Sequence, residues 1–349
     1  MIPYFFIFSI PIIASLFPQV SSKKVFLLGW VSYLILVFIF LALRNNVGGD
    51  WTNYVYILNN RIENFNFLEF QYRSEYLFEF LLWIIKKLNL NIYYFFSFSS
   101  LIFLIALSKI CLKQNNPWLG LVISFPLLIN ILSIGYTRQS IAFSFLIFAI
   151  YSLLNTKNIL FFIFLIIGSL FHKSLIFFLI LPIFTINSLQ KKFLFLFIIL
   201  FIFIIFYSLT YNEINRLVFI FLGEGIYFES KGAFLRLLFH SIISLLFLLF
   251  SSKLQLPKNE LIIWRFFAII SIILFPLVFN YSSFVDRMIY YFYPLQIIFF
   301  TRYYLIFNND LKFLSTLLTI IIYLAIYIFW IYNATHFNSW FPYNNILFL

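Results

Sequence analysis

Apolar runs long enough to cross a bilayer follow one another along almost the entire chain, with only short polar connections between them. This pattern constrains the fold more than any single motif. A membrane span takes roughly 17 to 25 apolar residues, and backbone in lipid must satisfy its own hydrogen bonds, which leaves helices for a chain with no alternating strand pattern. Candidate spans run near residues 2–17, 25–43, 92–112, 118–134, 139–155, 158–171, 174–189, 193–210, 235–251, 261–280, 288–306 and 313–332. The expected fold class is therefore all-α: a polytopic integral membrane protein of about twelve transmembrane helices in one transmembrane domain, residues 1–349. Composition agrees, with 64% hydrophobic residues, 10% charged residues and a mean hydropathy of +1.03, values outside the soluble globular range. The pair of runs flanking His172 is short, so it reads as two tilted helices or as one re-entrant hairpin. The stretch EYLFEFLLWIIKKL (75–88) carries acids at one end and lysines at the other, which suits a helix lying on the membrane surface. The first run has no basic residue before it and no small-residue cleavage pattern after it, so it is expected to be a retained helix.

Charge sets the expected orientation. Lys23, Lys24, Lys109, Lys113, Lys157, Lys191, Lys192, Lys253, Lys258 and Lys312 all fall in alternate connections, as the positive-inside rule requires of cytoplasmic loops. With Arg265 and Arg302 that side holds 12 basic residues against the acids Glu260 and Asp310, while the other side holds 11 basic residues and nine acids. Both ends of the chain are then expected outside, together with an outer loop at 44–91 and another at 211–234. The net charge of +12 is accounted for by topology and calls for no nucleic acid. A lone cysteine, Cys111, forms no internal disulfide, and no zinc-ligand spacing links it to His172, His240 or His336, so neither metal nor cofactor is expected.

Seven of the nine arginines (Arg44, Arg61, Arg73, Arg138, Arg216, Arg236 and Arg287) fall on the outer side, although lysine dominates the inner loops. A guanidinium makes planar, bidentate contacts with phosphate or carboxylate, whereas an ammonium is a hydrated point charge. In GYTRQSIAFSFLIF, Arg138 and Gln139 stand at the mouth of a long apolar helix; in SSFVDRMIYYFYP, Asp286 and Arg287 stand at an equivalent entrance, with Pro294 able to kink the helix beyond it. His172 places a titratable imidazole among apolar neighbours, a residue type suited to general-base work near neutrality. The stretch RNNVGGDWTNYVY (44–56) gathers Arg44, two glycines, Asp50 and Tyr54 between two apolar runs. A phosphate-binding GxxxxGK[ST] loop is lacking, and so is an acid in the middle of any span, which disfavours nucleotide hydrolysis and ion-driven transport.

The order of these blocks resembles the EpsG-like branch of the Wzy-type polysaccharide polymerases. Arg44, Gly48, Asp50 and Tyr54 fit an early R-x-x-x-G-x-D-x-x-x-Y pattern, YTRQSIAF fits a central R-Q-x-x-A block, and FHKS fits an F-H-x-S block; DRMIYYFYP and FPYNN (341–345) fit more loosely. The resemblance implies a GT-C-like helical bundle in the bacterial inner membrane. Its activity would be to join undecaprenyl-pyrophosphate-linked oligosaccharides, as donor and acceptor, into O-antigen, capsule or exopolysaccharide at the periplasmic or outer face. A chain-length regulator protein is an implied partner, beside the lipid bilayer itself. On that reading Arg138 and Arg287 are the principal pyrophosphate ligands with Arg44 as third. His172 is the first candidate for the base and Asp50 the second, while Tyr54, Asp286 and Gln139 contact sugar or shape the loop. The transfer would be metal-independent and inverting. An O-antigen ligase would use the same groups but places its long outer loop late in the chain. A flippase of the lipid-linked unit predicts internal repeats and charges deep within several helices.

Overall fold

The computed structural model describes residues 1–17, 22–62, 75–186, 188–190, 192–197, 199–201, 204, 230–307, 309–334 and 337–348. Most of the expected outer loop at 211–234, and with it Arg216, lies outside the described residues, as do Arg73, His336 and the 205–210 end of the expected 193–210 span. Among the described residues the secondary structure is helical, and no strand forms. In chain order the helices are α1 (Ile2–Leu16), α2 (Lys23–Ala42), α3 (Trp51–Tyr56), α4 (Tyr76–Lys87), α5 (Tyr93–Cys111), α6 (Pro117–Ser124), α7 (Thr137–Leu154) and α8 (Asn158–Phe171). They continue as α9 (Lys192–Phe201), α10 (Ala233–Phe250), α11 (Lys258–Leu274), α12 (Val278–Phe292), α13 (Pro294–Phe300), α14 (Lys312–Asn333) and α15 (Phe337–Trp340). Among the described residues seven helical runs are long and apolar enough to cross a membrane, and α1, α8, α9 and the 3-10 helix Lys173–Phe184 are shorter apolar segments. The protein is an all-α polytopic membrane protein.

Prolines punctuate the long runs. Pro117 opens α6, where a missing N–H costs nothing, and the Asn116 side chain caps the same turn by accepting from Leu119 N at 3.1 Å. Nine residues on, Pro126 removes a donor and crowds the preceding turn, and from Phe125 to Gly135 the helix widens into a π-helix. The expected spans 261–280 and 288–306 divide differently from the sequence expectation. Pro276 separates α11 from α12, α12 bends at Tyr281, and Pro294 starts α13. Asp286 and Arg287 consequently sit inside α12, two turns from its start, rather than at a helix entrance. Around His172, α8 packs against the 3-10 helix Lys173–Phe184 as a hairpin, with the histidine extended at the bend (φ −153°, ψ 112°). At about 1.5 Å and 2.0 Å rise per residue each arm falls short of a bilayer core.

The described chain forms two compact units. Unit 1 comprises Met1–Asn66, Leu77–Ser144 and Ile297–Leu349; unit 2 comprises Phe67–Tyr76 and Phe145–Gln296. In unit 1, α2 packs on α5, and α1 on α6 and α14, around aromatic rings such as the stacked Phe8–Phe125 pair at 4.6 Å. Sparse polar links tie these helices, among them Trp30 Nε1 to Ser108 Oγ at 2.8 Å and Asn116 Nδ2 to Ser15 O at 3.0 Å. In unit 2, α10, α11 and α12 pack together. There Gln296 Nε2 lies 2.8 Å from His240 Nδ1, and His240 Nε2 lies 3.1 Å from Ser271 Oγ, whose hydroxyl donates to Phe267 O. Both imidazole nitrogens in that buried chain have polar partners, so His240 serves as an interhelical tie.

Candidate functional site

The turn after α2 explains why glycine and charge collect in RNNVGGD. Gly48 adopts φ +107°, and a Cβ there would lie 2.5 Å from Ile134 O, so both conformation and space demand glycine. Arg44 is 1% exposed. Its guanidinium donates to Leu41 O through Nη1, to Val47 O through Nε (3.2 Å), and through Nη2 to Ile134 O (3.3 Å) and Thr137 Oγ1 (2.9 Å), while the group lies 4.0 Å above the Phe96 ring. Burial pushes its pKa down to about 10, against the opposing pull of Tyr343, Tyr54 and Tyr4, and it stays charged at neutral pH. With four of five N–H groups given to the protein, Arg44 clips the turn onto the end of the π-helix that precedes Arg138.

The C-terminal segment closes the same knot. Asn344 O accepts from Asn45 N (3.0 Å), Leu43 O from Ile346 N (2.9 Å) and Ser339 O from Gly48 N (2.7 Å); Tyr343 OH reaches Phe40 O at 2.7 Å and Tyr4 OH reaches Trp340 O at 2.7 Å. Burial pushes the Tyr343 phenol up to about 12, which keeps it a donor. Trp340 covers Gly135 so closely that a Cβ there would meet its ring at 2.8 Å. Trp340, Phe341 and Tyr343 are thus engaged in packing this turn.

From that base the site groups of unit 1 emerge. Tyr54 OH donates to Asp50 Oδ2 at 3.2 Å and accepts the Arg138 backbone N–H at 3.5 Å. Burial and the neighbouring Asp50 hold the Tyr54 phenol above its ordinary range, with Arg138 pulling it back. The Arg138 guanidinium lies 5.0 Å from the Phe78 ring centre and 5.7 Å from that of Tyr54, and the residue is half-buried. Gln139, at 2% exposure, points inward beside it. Arg44, Asp50, Tyr54 and Arg138 therefore form one connected constellation. Phe78, Leu82 and Ile85 bury one face of α4, which supplies the Phe78 ring.

Unit 2 carries two further clusters. Asp286, at 2% exposure, accepts both teeth of Arg236 (Nε–Oδ1 and Nη2–Oδ2, each 2.7 Å) and the Ser230 hydroxyl at 2.9 Å. This fork ties α10 to α12 and occupies the carboxylate that sequence assigned to sugar or loop contacts. Arg287, the next residue, is exposed. At the α8 bend, His172 Nδ1 lies 2.6 Å from Ser174 Oγ and 3.3 Å from Tyr291 OH, and Ser174 Oγ lies 2.9 Å from Tyr291 OH. The His172 Nε2 lies 3.9 Å from Glu75 Oε1, with the two side chains 17% and 13% exposed. Sequence reasoning missed Arg236, Glu75, Ser174 and Tyr291 as members of these clusters. The H-x-S spacing was the one available signal for Ser174; Glu75 and Tyr291 come from distant segments.

Among the described residues no group of three or more His, Cys, Asp or Glu side chains is placed to hold a metal ion. The chemistry on offer is cationic and hydrogen-bonding: a guanidinium on an aromatic shelf, and an imidazole set between a carboxylate and two hydroxyls. In comparisons with known proteins, the model of the EpsG family matches residues 26–345, nearly the whole chain. No curated protein and no solved structure matches it.

Proposed function

The chain belongs to the EpsG family, which is Wzy-like and points to a polysaccharide polymerase, and from that premise we propose the reaction in finer terms. The protein joins undecaprenyl-pyrophosphate-linked oligosaccharide repeat units into O-antigen, capsule or exopolysaccharide, from the bacterial inner membrane, with its chemistry on the periplasmic or outer face. The asymmetry of lysine and arginine between alternate connections supports that orientation. The acceptor sugar hydroxyl attacks the anomeric carbon of the donor, and the departing pyrophosphate takes the bond's electron pair. A single in-line displacement inverts the anomeric centre.

The observation that carries the reading is the placement of Arg138. Its guanidinium is half-buried, held on the Phe78 and Tyr54 rings by a turn that Arg44, Gly48 and the C-terminal segment lock in place. A preorganised cation of this kind stabilises charge growing on a pyrophosphate leaving group without rearranging as it does so. Arg287, exposed on α12, is the second cation assigned to the pyrophosphate. Arg44 takes a different role from the one its sequence context suggested: its donors belong to three backbone carbonyls and the Thr137 hydroxyl, so it positions the turn and the segment leading to Arg138. Asp286, forked to Arg236, likewise serves the packing of α12 rather than a sugar. His172 is the base that relieves the attacking hydroxyl of its proton; Asp50, bound to Tyr54, orients that phenol.

Deleting the gene tests the reaction class. Single lipid-linked repeat units are expected to accumulate on the outer leaflet, open to glycan-oxidising reagents added outside, with long polymer lost. Units trapped on the inner leaflet would mark a flippase instead. Polymer that forms normally but stays lipid-linked would mark a ligase.

A further inference from the structure

The Glu75, His172, Ser174 and Tyr291 cluster sets a proton route that no comparison assigns. The imidazole has hydroxyls beside one nitrogen and a carboxylate facing the other. Nδ1 faces the Ser174 hydroxyl at 2.6 Å and the Tyr291 phenol at 3.3 Å, and Nε2 faces the Glu75 carboxylate at 3.9 Å. A carboxylate on the Nε2 side favours the tautomer with its proton there, and two hydroxyl donors on the other side favour a lone pair on Nδ1. Tyr291 is fully buried on α12, packed edge-on against Phe178 at 5.4 Å, so its phenol is fixed; Ser174 is half-buried, with its hydroxyl between that phenol and the imidazole. Among the described residues, Glu75 ahead of α4, Tyr291 on α12 and Lys173, next in the chain, are titratable or charged groups beside the ring.

Resting on the polymerase reading above, we propose that Glu75 is the positioning carboxylate of His172 and that Ser174 is the hydroxyl through which the acceptor's proton reaches Nδ1. In this step the acceptor O–H proton passes to Ser174 Oγ as the proton of Ser174 passes to Nδ1. The freed oxygen pair forms the bond to the anomeric carbon, and the carbon–oxygen bond to pyrophosphate breaks with its pair leaving on the diphosphate. The imidazolium, now facing Glu75, returns its proton to water. Because the tautomer is set by Glu75, the serine and the base act as one unit.

Diethyl pyrocarbonate acylates neutral imidazole, so its rate at His172, followed by mass spectrometry of the purified full chain in lipid nanodiscs, reads the Glu75–His172 pairing without any substrate. Glu75→Gln is expected to raise the ratio of the rate at pH 6 to that at pH 8 on the order of five-fold, the effect of removing an opposite charge about 4 Å away; Glu75→Asp is expected to restore the ratio largely. An unchanged ratio, or equal acceleration at both pH values from mere loosening, overturns the pairing. In the deletion strain, Ser174→Ala is expected to cut long polymer on the order of ten-fold, with Ser174→Thr restoring it; undiminished polymer in Ser174→Ala overturns the serine route. Normal polymer in His172→Ala would instead overturn the base role of the reading above while leaving the labelling result to stand.

Discussion

Arg44 and Arg138 occupy the same unit, 94 residues apart in sequence and joined in space through Thr137, Ile134 and Tyr54, yet they are treated in opposite ways. The first is sealed at 1% exposure with its donors on backbone carbonyls and a threonine hydroxyl; the second lies half-buried on aromatic faces. Burying a cation is costly unless its hydrogen-bonding capacity is met by the protein. Arg44 meets that condition and has little left for a ligand. The contrast assigns architecture to the charge that is enclosed and chemistry to the one that is shelved, although the two look alike in sequence. In unit 2 the same division separates Asp286, forked to Arg236, from its exposed neighbour Arg287.

The largest expected effect on stability comes from removing the enclosed charge. Arg44→Ala leaves Leu41 O, Val47 O, Ile134 O and the Thr137 hydroxyl short of a donor in a buried turn, and a destabilisation of about 3 kcal/mol or more is expected. Arg44→Lys is expected to recover little, because one ammonium does not span the positions of a fork. Thermal unfolding of the purified protein in nanodiscs checks both variants. A melting temperature unchanged in Arg44→Ala, with polymer lost, would return Arg44 to the pyrophosphate and dissolve the contrast.

An intermediate effect is expected at the Asp286–Arg236 fork. Asp286→Asn leaves Arg236 facing a neutral amide, and a loss of about 2 kcal/mol is expected, since the carboxylate is buried and its hydrogen bonds are charge-assisted. Combining it with Arg236→Gln should cost less than the sum of the single changes, because the two side chains form one interaction. Strict additivity in that double-mutant cycle would show that the pair contributes separately and that Asp286 has a task beyond tying α10 to α12.

Much of the fold is legible from hydropathy and proline alone: α2, α5, α7, α10 and α14 lie where apolar runs of spanning length place them, and the breaks at Pro126, Pro276 and Pro294 are local chain chemistry. Hydropathy does not report where a run divides, which is why Asp286 looked like an entrance residue and proved to lie within α12. The turn at 44–50 was legible as a special place, but the destination of its charge was not. Whether a guanidinium meets water or Ile134 O depends on a π-helix and a C-terminal segment remote in sequence. His172 and Ser174 share an H-x-S spacing, whereas Glu75 reaches the imidazole from 97 residues earlier, and a single sequence carries no trace of that distance collapsing to 3.9 Å.

The smallest effect on stability, and the one that most sharpens the comparison, belongs to Arg138. Its guanidinium rests on ring faces at 5.0 and 5.7 Å and its side chain bonds the Tyr54 hydroxyl, half-exposed contacts whose loss is expected to cost on the order of 1 kcal/mol. Arg138→Ala should therefore insert and fold almost as well as the native chain while long polymer disappears. Arg138→Lys keeps the charge but not the planar fork, so it is expected to retain the melting temperature and to restore polymer only in part. Chain-length ladders beside thermal unfolding separate the two quantities. Full polymer from Arg138→Ala would remove the shelved arginine from the chemistry. A melting temperature that falls as far as in Arg44→Ala would show that exposure does not distinguish the two roles, and the enclosed and shelved guanidiniums would then have to be counted as one structural unit.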